Sequence, residues 1–257
     1  QAKRPCYLQR VPGFEIDSLV QRDRFQPSPR LHQGQLPNRT RQGRVHGNQV
    51  SNDISPGFFV GFYHEPFYDG LKTNLRFFVG TYTHEAPNGG GIYSFELDDK
   101  SGRVKRLSIA GGVQNPSFLV LNPSKRYLYA VSEINSRCGK AEGFVSAFLV
   151  GDDGELSEEV RRGTGGAGPC HIRVNATGTI LIVTNYQGGS VASYPIEPGG
   201  SLGELATFVQ HEGASFDSDR QNQSHAHSSI FSPDGSISYV ADLGTDRIVA
   251  YNLDPLN

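Results

Sequence analysis

The chain has 257 residues, a formal net charge of −2, 31 glycines and neither Met nor Trp. Glycine at that density suits turn-rich β structure, because it fills positive-φ turn positions without steric cost. No apolar run approaches the ~18 residues that a membrane-spanning helix needs, and past residue 56 the chain is acidic, with 22 Asp and Glu to 15 Lys and Arg, which argues against a nucleic-acid partner.

Residues 1–72 come first in chain order. The first 56 carry nine Lys and Arg against four Asp and Glu, and the segment is rich in Arg, Gln, Pro and Asn, as in Arg30 to Arg39. It shows no sustained period of 2 or 3.6. Such a stretch buries too little apolar surface to offset its ordering entropy. We expect residues 1–72 to be a disordered extension outside a folded domain of residues 73–257. A chain that begins at Gln1 and holds no Met also reads as a piece of a longer one. Cys6, Cys138 and Cys170 are odd in number and far apart, with neither a zinc spacing nor a disulfide framework. That usage fits a reducing compartment, and the expected location is cytoplasmic.

From Phe77 onward a repeat emerges. Residues 115–133, 168–186 and 225–243 align at offsets of 53 and 57, and a partial copy begins at Phe77. Each copy predicts an apolar strand (Phe118–Leu121, Ile172–Val174, Ser229–Phe231), then a turn: Asn-Pro-Ser-Lys, Asn-Ala-Thr-Gly or Ser-Pro-Asp-Gly. A second strand follows (Tyr127–Val131, Ile180–Thr184, Ile237–Ala241), then a third (Ile92–Leu97, Phe144–Leu149, Val191–Ile196, Ile248–Leu253) and a fourth (Val104–Ile109, Leu156–Val160, Leu205–Val209). Four antiparallel strands per repeat define an all-β fold, a β-propeller of four-stranded blades. A β-sandwich would not repeat its turns at fixed offsets. About three and a half blades are expected, the last without its fourth strand. Open strand edges recruit other strands, so this chain alone is expected to be inactive and prone to associate.

Strand direction alternates within a blade, so the loop before the first strand and the loop after the second share one face. His171, His225, His227, Arg220, Glu212, Glu133, Asn185, Tyr186 and Asp242 gather there, while the opposite face carries ordinary turns. Each has a purely structural alternative. His171 replaces Phe118 of the preceding copy and could simply pack. Asn185 and Asp242 share one repeat position and could bond loop backbone. Glu133, Glu212 and Arg220 could be solvated. His225 and His227 point the same way on an extended strand, but no third ligand stands at metal-binding spacing, and no metal is expected.

Several motifs then fall into one order: Phe78-Val-Gly-Thr-Tyr-Thr83, Gly91-Ile-Tyr-Ser-Phe95, Asn115-Pro-Ser-Phe-Leu119, Gly166-Ala-Gly-Pro-Cys-His171, Asn185-Tyr186, Gln210-His-Glu-Gly213, Arg220-Gln221, His225-Ala-His227 and Val240-Ala-Asp-Leu243. Together they resemble the seven-bladed lactonase family, which holds propeller-type 6-phosphogluconolactonases and fungal carboxymuconate-cyclising enzymes. The resemblance covers about residues 75–257 and implies that further blades are missing. It implies hydrolysis of 6-phospho-D-glucono-1,5-lactone or a related sugar lactone, a pentose phosphate reaction, with no cofactor. The substrate is then a small sugar lactone or carboxylate, with no nucleic acid, membrane or obligate protein partner. By the same resemblance His171 and Arg220, then His227, are the catalytic candidates, and His225, Glu133, Asn185, Tyr186, Glu212 and Asp242 line the substrate site. A histidine near its ordinary pKa would be the base, and Arg220 the phosphate anchor. Muconate cyclisation and a non-catalytic binding scaffold are the other functions weighed.

Overall fold

A computed structural model of the protein describes residues 7–17, 74–83, 90–136 and 139–254. The expectations for residues 18–72, Cys6 and Cys138 fall outside them. The described residues form fifteen strands, β1 (Tyr7–Asp17), β2 (Asn74–Gly80), β3 (Ile92–Asp98), β4 (Val104–Ala110), β5 (Leu119–Leu121), β6 (Tyr127–Ser132), β7 (Phe144–Val150), β8 (Leu156–Gly163), β9 (Pro169–Val174), β10 (Ile180–Asn185), β11 (Ser190–Pro195), β12 (Thr207–Gln210), β13 (Ala226–Phe231), β14 (Ile237–Asp242) and β15 (Arg247–Asp254). They make four antiparallel sheets, β2-β3-β4, β5-β6-β7-β8, β9-β10-β11-β12 and β13-β14-β15-β1.

The repeated turns are built alike, and for one reason. At the head of each, a short polar side chain takes over backbone bonding that a tight turn leaves open. Asn122 Oδ1 accepts the Tyr127 N–H at 3.0 Å, and Asn175 Oδ1 accepts the Thr179 and Ile180 N–H groups at 2.8 and 3.0 Å. In the third copy Ser232 Oγ accepts the Ile237 N–H at 3.0 Å. The third residue after each head is left-handed: Lys125 (φ 60°), Gly178 (φ 69°) and Gly235 (φ 74°).

Packing runs from sheet to sheet in sequence. Phe78 and Ile92 of the first sheet meet Leu119, Leu128 and Phe148 of the second. Val120, Tyr129, Val131 and Val145 of the second meet Ile172, Leu181, Val183 and Tyr194 of the third. Ile180, Ile182 and Val191 of the third meet Val240, Val249 and Tyr251 of the fourth. Alternating strands bury one set of residues on each side, so every inner sheet carries two apolar faces.

One expectation fails. Tyr7–Asp17 is not a disordered part of residues 1–72; it is the outer strand of the fourth sheet, antiparallel to β15 from Tyr7↔Asp254 to Asp17↔Arg247. The last blade therefore has its fourth strand. Leu8 is 6% exposed and joins the core between the third and fourth sheets, and its N–H donates to Thr207 Oγ1 at 3.2 Å. The register breaks between Arg10 and Glu15, where Pro12 has no N–H to give the ladder. That break hides the strand from a search for sustained alternation.

Candidate active site

The candidate residues stand at one end of the inner strands, on loops stitched together by backbone bonds. Gly168 N–H donates to Ile134 O at 2.9 Å, Tyr186 N–H to Gly168 O at 2.8 Å, Gly188 N–H to Ala167 O at 2.9 Å and Leu243 N–H to His225 O at 2.9 Å. Gly166 and Gly189 are dictated by this crowding. A Cβ on the first would sit 2.4 Å from Ser190 Oγ, and one on the second 2.1 Å from Ser224 Oγ.

His171 lies near the start of β9, half-buried, its ring tilted at 45° against Phe118 with centroids 4.4 Å apart. Burial, then the charges of Arg173 and His227, lower its pKa from 6.5 to about 4. His171 therefore does not fit the expected base near its ordinary pKa: desolvation disfavours the imidazolium, and the ring is neutral at pH 7. Nδ1 accepts the Ser229 N–H at 3.4 Å, so the ring's own proton belongs on Nε2. His171 therefore presents a donor.

Tyr186 is the hub of the cluster. His225 stacks on it at 4.5 Å, His227 meets it edge-on at 5.5 Å, and the Tyr186 side chain raises the pKa of Arg220. His225 Nδ1 donates to Tyr186 O at 2.8 Å. The His225 side chain is buried and supports Tyr186, whereas His227 is exposed. Arg220 is fully exposed, on a loop closed by Ser215 N–H to Gln221 O at 2.8 Å and pinned by Gln221 Nε2 to Leu243 O at 2.8 Å. Glu212 is exposed on the same loop. Glu133 Oε2 accepts the Tyr82 hydroxyl at 3.0 Å, and burial, then the Glu133 charge, push that phenol up to about 12.

Two expected substrate contacts, Asn185 and Asp242, are buried. Asn185 is 0% exposed and its amide donates to Ser190 Oγ at 3.0 Å. Asp242 is 2% exposed and fully engaged: Oδ2 accepts from His211 Nδ1 at 2.6 Å, and Oδ1 from the His225 and Thr245 N–H groups at 2.8 and 3.1 Å. Burial alone would raise the Asp242 pKa, but these hydrogen bonds hold it below its ordinary value. The Nε2 of His211 bonds the Tyr251 hydroxyl. A buried carboxylate persists only when its lone pairs are satisfied in this way, so Asp242 frames the loops.

Sequence reasoning passed over Tyr82, Phe118, Cys170 and His211. Cys170 adjoins His171, but burial pushes its thiol up to about 12, which leaves it protonated and inert. A cleft of about 380 Å³ against the fourth sheet, lined by Ala241, Asp242, Leu243, Arg247 and Ile248 among others, touches this cluster through His227. Among the described residues no three His, Cys, Asp or Glu side chains converge as metal ligands, and no helix is long and apolar enough to cross a membrane.

Successive antiparallel blades with an imidazole, phenol and guanidinium cluster at one end of their inner strands define a β-propeller with a polar site at the mouth of its axis. The chain belongs to the lactonase family of seven-bladed β-propellers, which residues 76–257 match. It is 33% identical over 180 residues to a 6-phosphogluconolactonase of Formosa agariphila, covering 69% of this chain and 50% of that protein. It is 30% identical over 179 residues to the 6-phosphogluconolactonase of Bacillus subtilis, covering 68% and 48%. The structure of a periplasmic gluconolactonase of Pseudomonas aeruginosa superposes with a TM-score of 0.63 at 31% identity, over 70% of this chain and 50% of that one. The chain thus spans about half the length of the curated relatives it matches.

Proposed function

We propose that this protein is a lactone hydrolase acting on a sugar δ-lactone, with 6-phospho-D-glucono-1,5-lactone as the foremost substrate. The observation that carries the reading is His171, a neutral, half-buried imidazole with a donor to offer at the mouth of the inner strands. Water adds to the lactone carbonyl carbon while His227 takes its proton. The oxyanion that forms accepts from His171 Nε2, and a preorganised donor in a dry setting is the strongest aid such a step has. When the tetrahedral adduct collapses, the ring C–O bond breaks and the departing oxygen takes the proton back from His227, giving the open hydroxy acid. Tyr186, steadied by His225, and Arg220 contact the sugar at the rim, with Glu133 and Glu212 as further polar contacts. The scheme needs no cofactor, metal, protein partner, nucleic acid or membrane. The residues named in it all lie within 73–257, and β1 from the first 72 residues completes a blade.

The test is background-corrected hydrolysis of that lactone by the 257-residue chain, whose last blade β1 completes, and by His171→Ala; turnover by the parent also sets aside the expectation that the chain alone is inactive. A loss of at least about a hundredfold with an unchanged far-UV spectrum is expected. A His171→Ala chain as active as its parent overturns the scheme. Cyclisation of a carboxymuconate without lactone hydrolysis would replace it, and ligand binding without turnover would leave a scaffold. The reading places the protein in the cytoplasm, whereas the Pseudomonas aeruginosa relative is periplasmic; cell fractionation decides between the two.

A further inference from the structure

Arg173 has no assigned role. It follows His171 by two positions on β9, and Ile172 between them points into the core shared with the second sheet. Alternation puts His171 and Arg173 together on the other face of the strand. The register agrees: Arg173 pairs with Ile182, which packs toward the fourth sheet, and His171 Nδ1 takes the Ser229 N–H from β13 of that sheet. Both side chains therefore stand at the inner edge between the third and fourth sheets.

The residue is out of keeping with its repeat. The matching positions in the flanking copies are Val120, buried in the core between the second and third sheets, and Ile230, which is exposed. Arg173 is half-buried, and among the described residues no carboxylate or carbonyl pairs with its guanidinium. Its charge is nonetheless felt at His171, whose imidazolium it disfavours. A partly desolvated cation without a counter-charge is costly, and that cost is relieved when an anion arrives. Arg220 differs, being fully exposed, where solvent screens it.

We propose that Arg173 is the specificity residue of the site, binding the anionic group of a phosphorylated sugar lactone whose carbonyl lies at His171. The proposal rests on the reading of His171 as the reaction centre. Two residues along a strand span roughly 6.6 Å. That reach suits a phosphate carried two or three bonds off a δ-lactone ring. The planar guanidinium fork matches phosphate oxygens in pairs, which a point charge does not. An unphosphorylated lactone would leave the guanidinium unpaired and so bind less well.

Two measurements test this on the 257-residue chain. The first follows the His171 imidazole by NMR while inorganic phosphate is added to the parent, to Arg173→Gln and to Arg173→Lys. Phosphate is expected to raise the His171 pKa in the parent by neutralising Arg173, to leave it unmoved in Arg173→Gln, and to act partially in Arg173→Lys. The second compares KM for 6-phospho-D-glucono-1,5-lactone and for D-glucono-1,5-lactone. In Arg173→Gln the KM for the phosphorylated lactone is expected to rise at least tenfold more than that for the other, with kcat changing less than KM. An equal change for both lactones, or a phosphate response that survives in Arg173→Gln, overturns the assignment. Absence of turnover by the parent on either lactone counts against the proposed hydrolysis, and the phosphate titration still decides the role of Arg173.

Discussion

Leu8→Ala tests the least expected element of the fold. Leu8 is 6% exposed and packs with Ile180, Ile182, Val249, Tyr251 and Leu253. Truncating a buried leucine to alanine costs about 2–5 kcal/mol, the transfer term plus the cavity left behind. β1 is an outer strand, free to settle toward the removed atoms, which places this site at the low end, about 2–3 kcal/mol. The assay is urea denaturation followed by tyrosine fluorescence and far-UV circular dichroism. With a slope of about 2 kcal/mol per molar urea, the midpoint falls by about 1 M. Deleting residues 1–17 removes the whole pairing from Tyr7↔Asp254 to Asp17↔Arg247, costs more than the point change, and bares the edge of β15 to association. A Leu8→Ala chain as stable as the parent would refute the reasoning, because β1 would then lie outside the cooperative unit.

Three further outcomes are expected. The His171 pKa is about 4 when folded against an ordinary 6.5, so between those values only the unfolded chain holds the proton; the stability this provides is complete above pH 6.5 and lost as pH falls toward 4, up to about 3 kcal/mol. His171→Phe, which copies Phe118 of the preceding repeat, should flatten that part of the melting-temperature profile, and an unchanged slope would mean that other groups set it. Asp242→Asn leaves His211 and two backbone donors poorly matched and should cost about 2–4 kcal/mol in thermal unfolding; an unchanged melting temperature with a raised KM would restore the substrate-contact role. Lys125→Gly relieves a left-handed conformation (φ 60°) that Gly178 and Gly235 adopt freely in the sister turns; a gain of about 0.5–1 kcal/mol is expected, and a loss would show that the lysine side chain's contacts outweigh the strain.

Much of the blade architecture was legible because it is local. Turn heads at 122, 175 and 232, alternation on either side of them, and short loops fix strand order without long-range information. β5 to β15 follow the predicted runs to within a few residues. β1 was not legible, because its partner lies some 240 residues away at β15 and its own alternation is broken at Pro12-Gly13. Strand pairing of that kind is a property of a free edge, and a free edge has no signature in the strand that finds it.

The site divides in the same way. That the polar residues share one end of the sheets follows from strand direction, which the repeat supplies. What each does there depends on burial, which the repeat leaves open. Column by column, the three copies show where to look. Ser132, Asn185 and Asp242 occupy one column and are all buried, so polarity there is a structural demand of the loop, met more elaborately in the last copy by adding His211. Phe118, His171 and Ser228 occupy another, and Val120, Arg173 and Ile230 a third. In the first of these both later copies turn polar, the middle one placing an imidazole against the phenyl ring of Phe118; in the second the middle copy alone departs, with a cation where its sisters hold aliphatic groups. A repeat protein needs every blade to pack, so a column that stays polar in all copies speaks of the fold. A column that turns polar in one copy gives up packing there, and for Arg173 the proposed anionic ligand accounts for that loss.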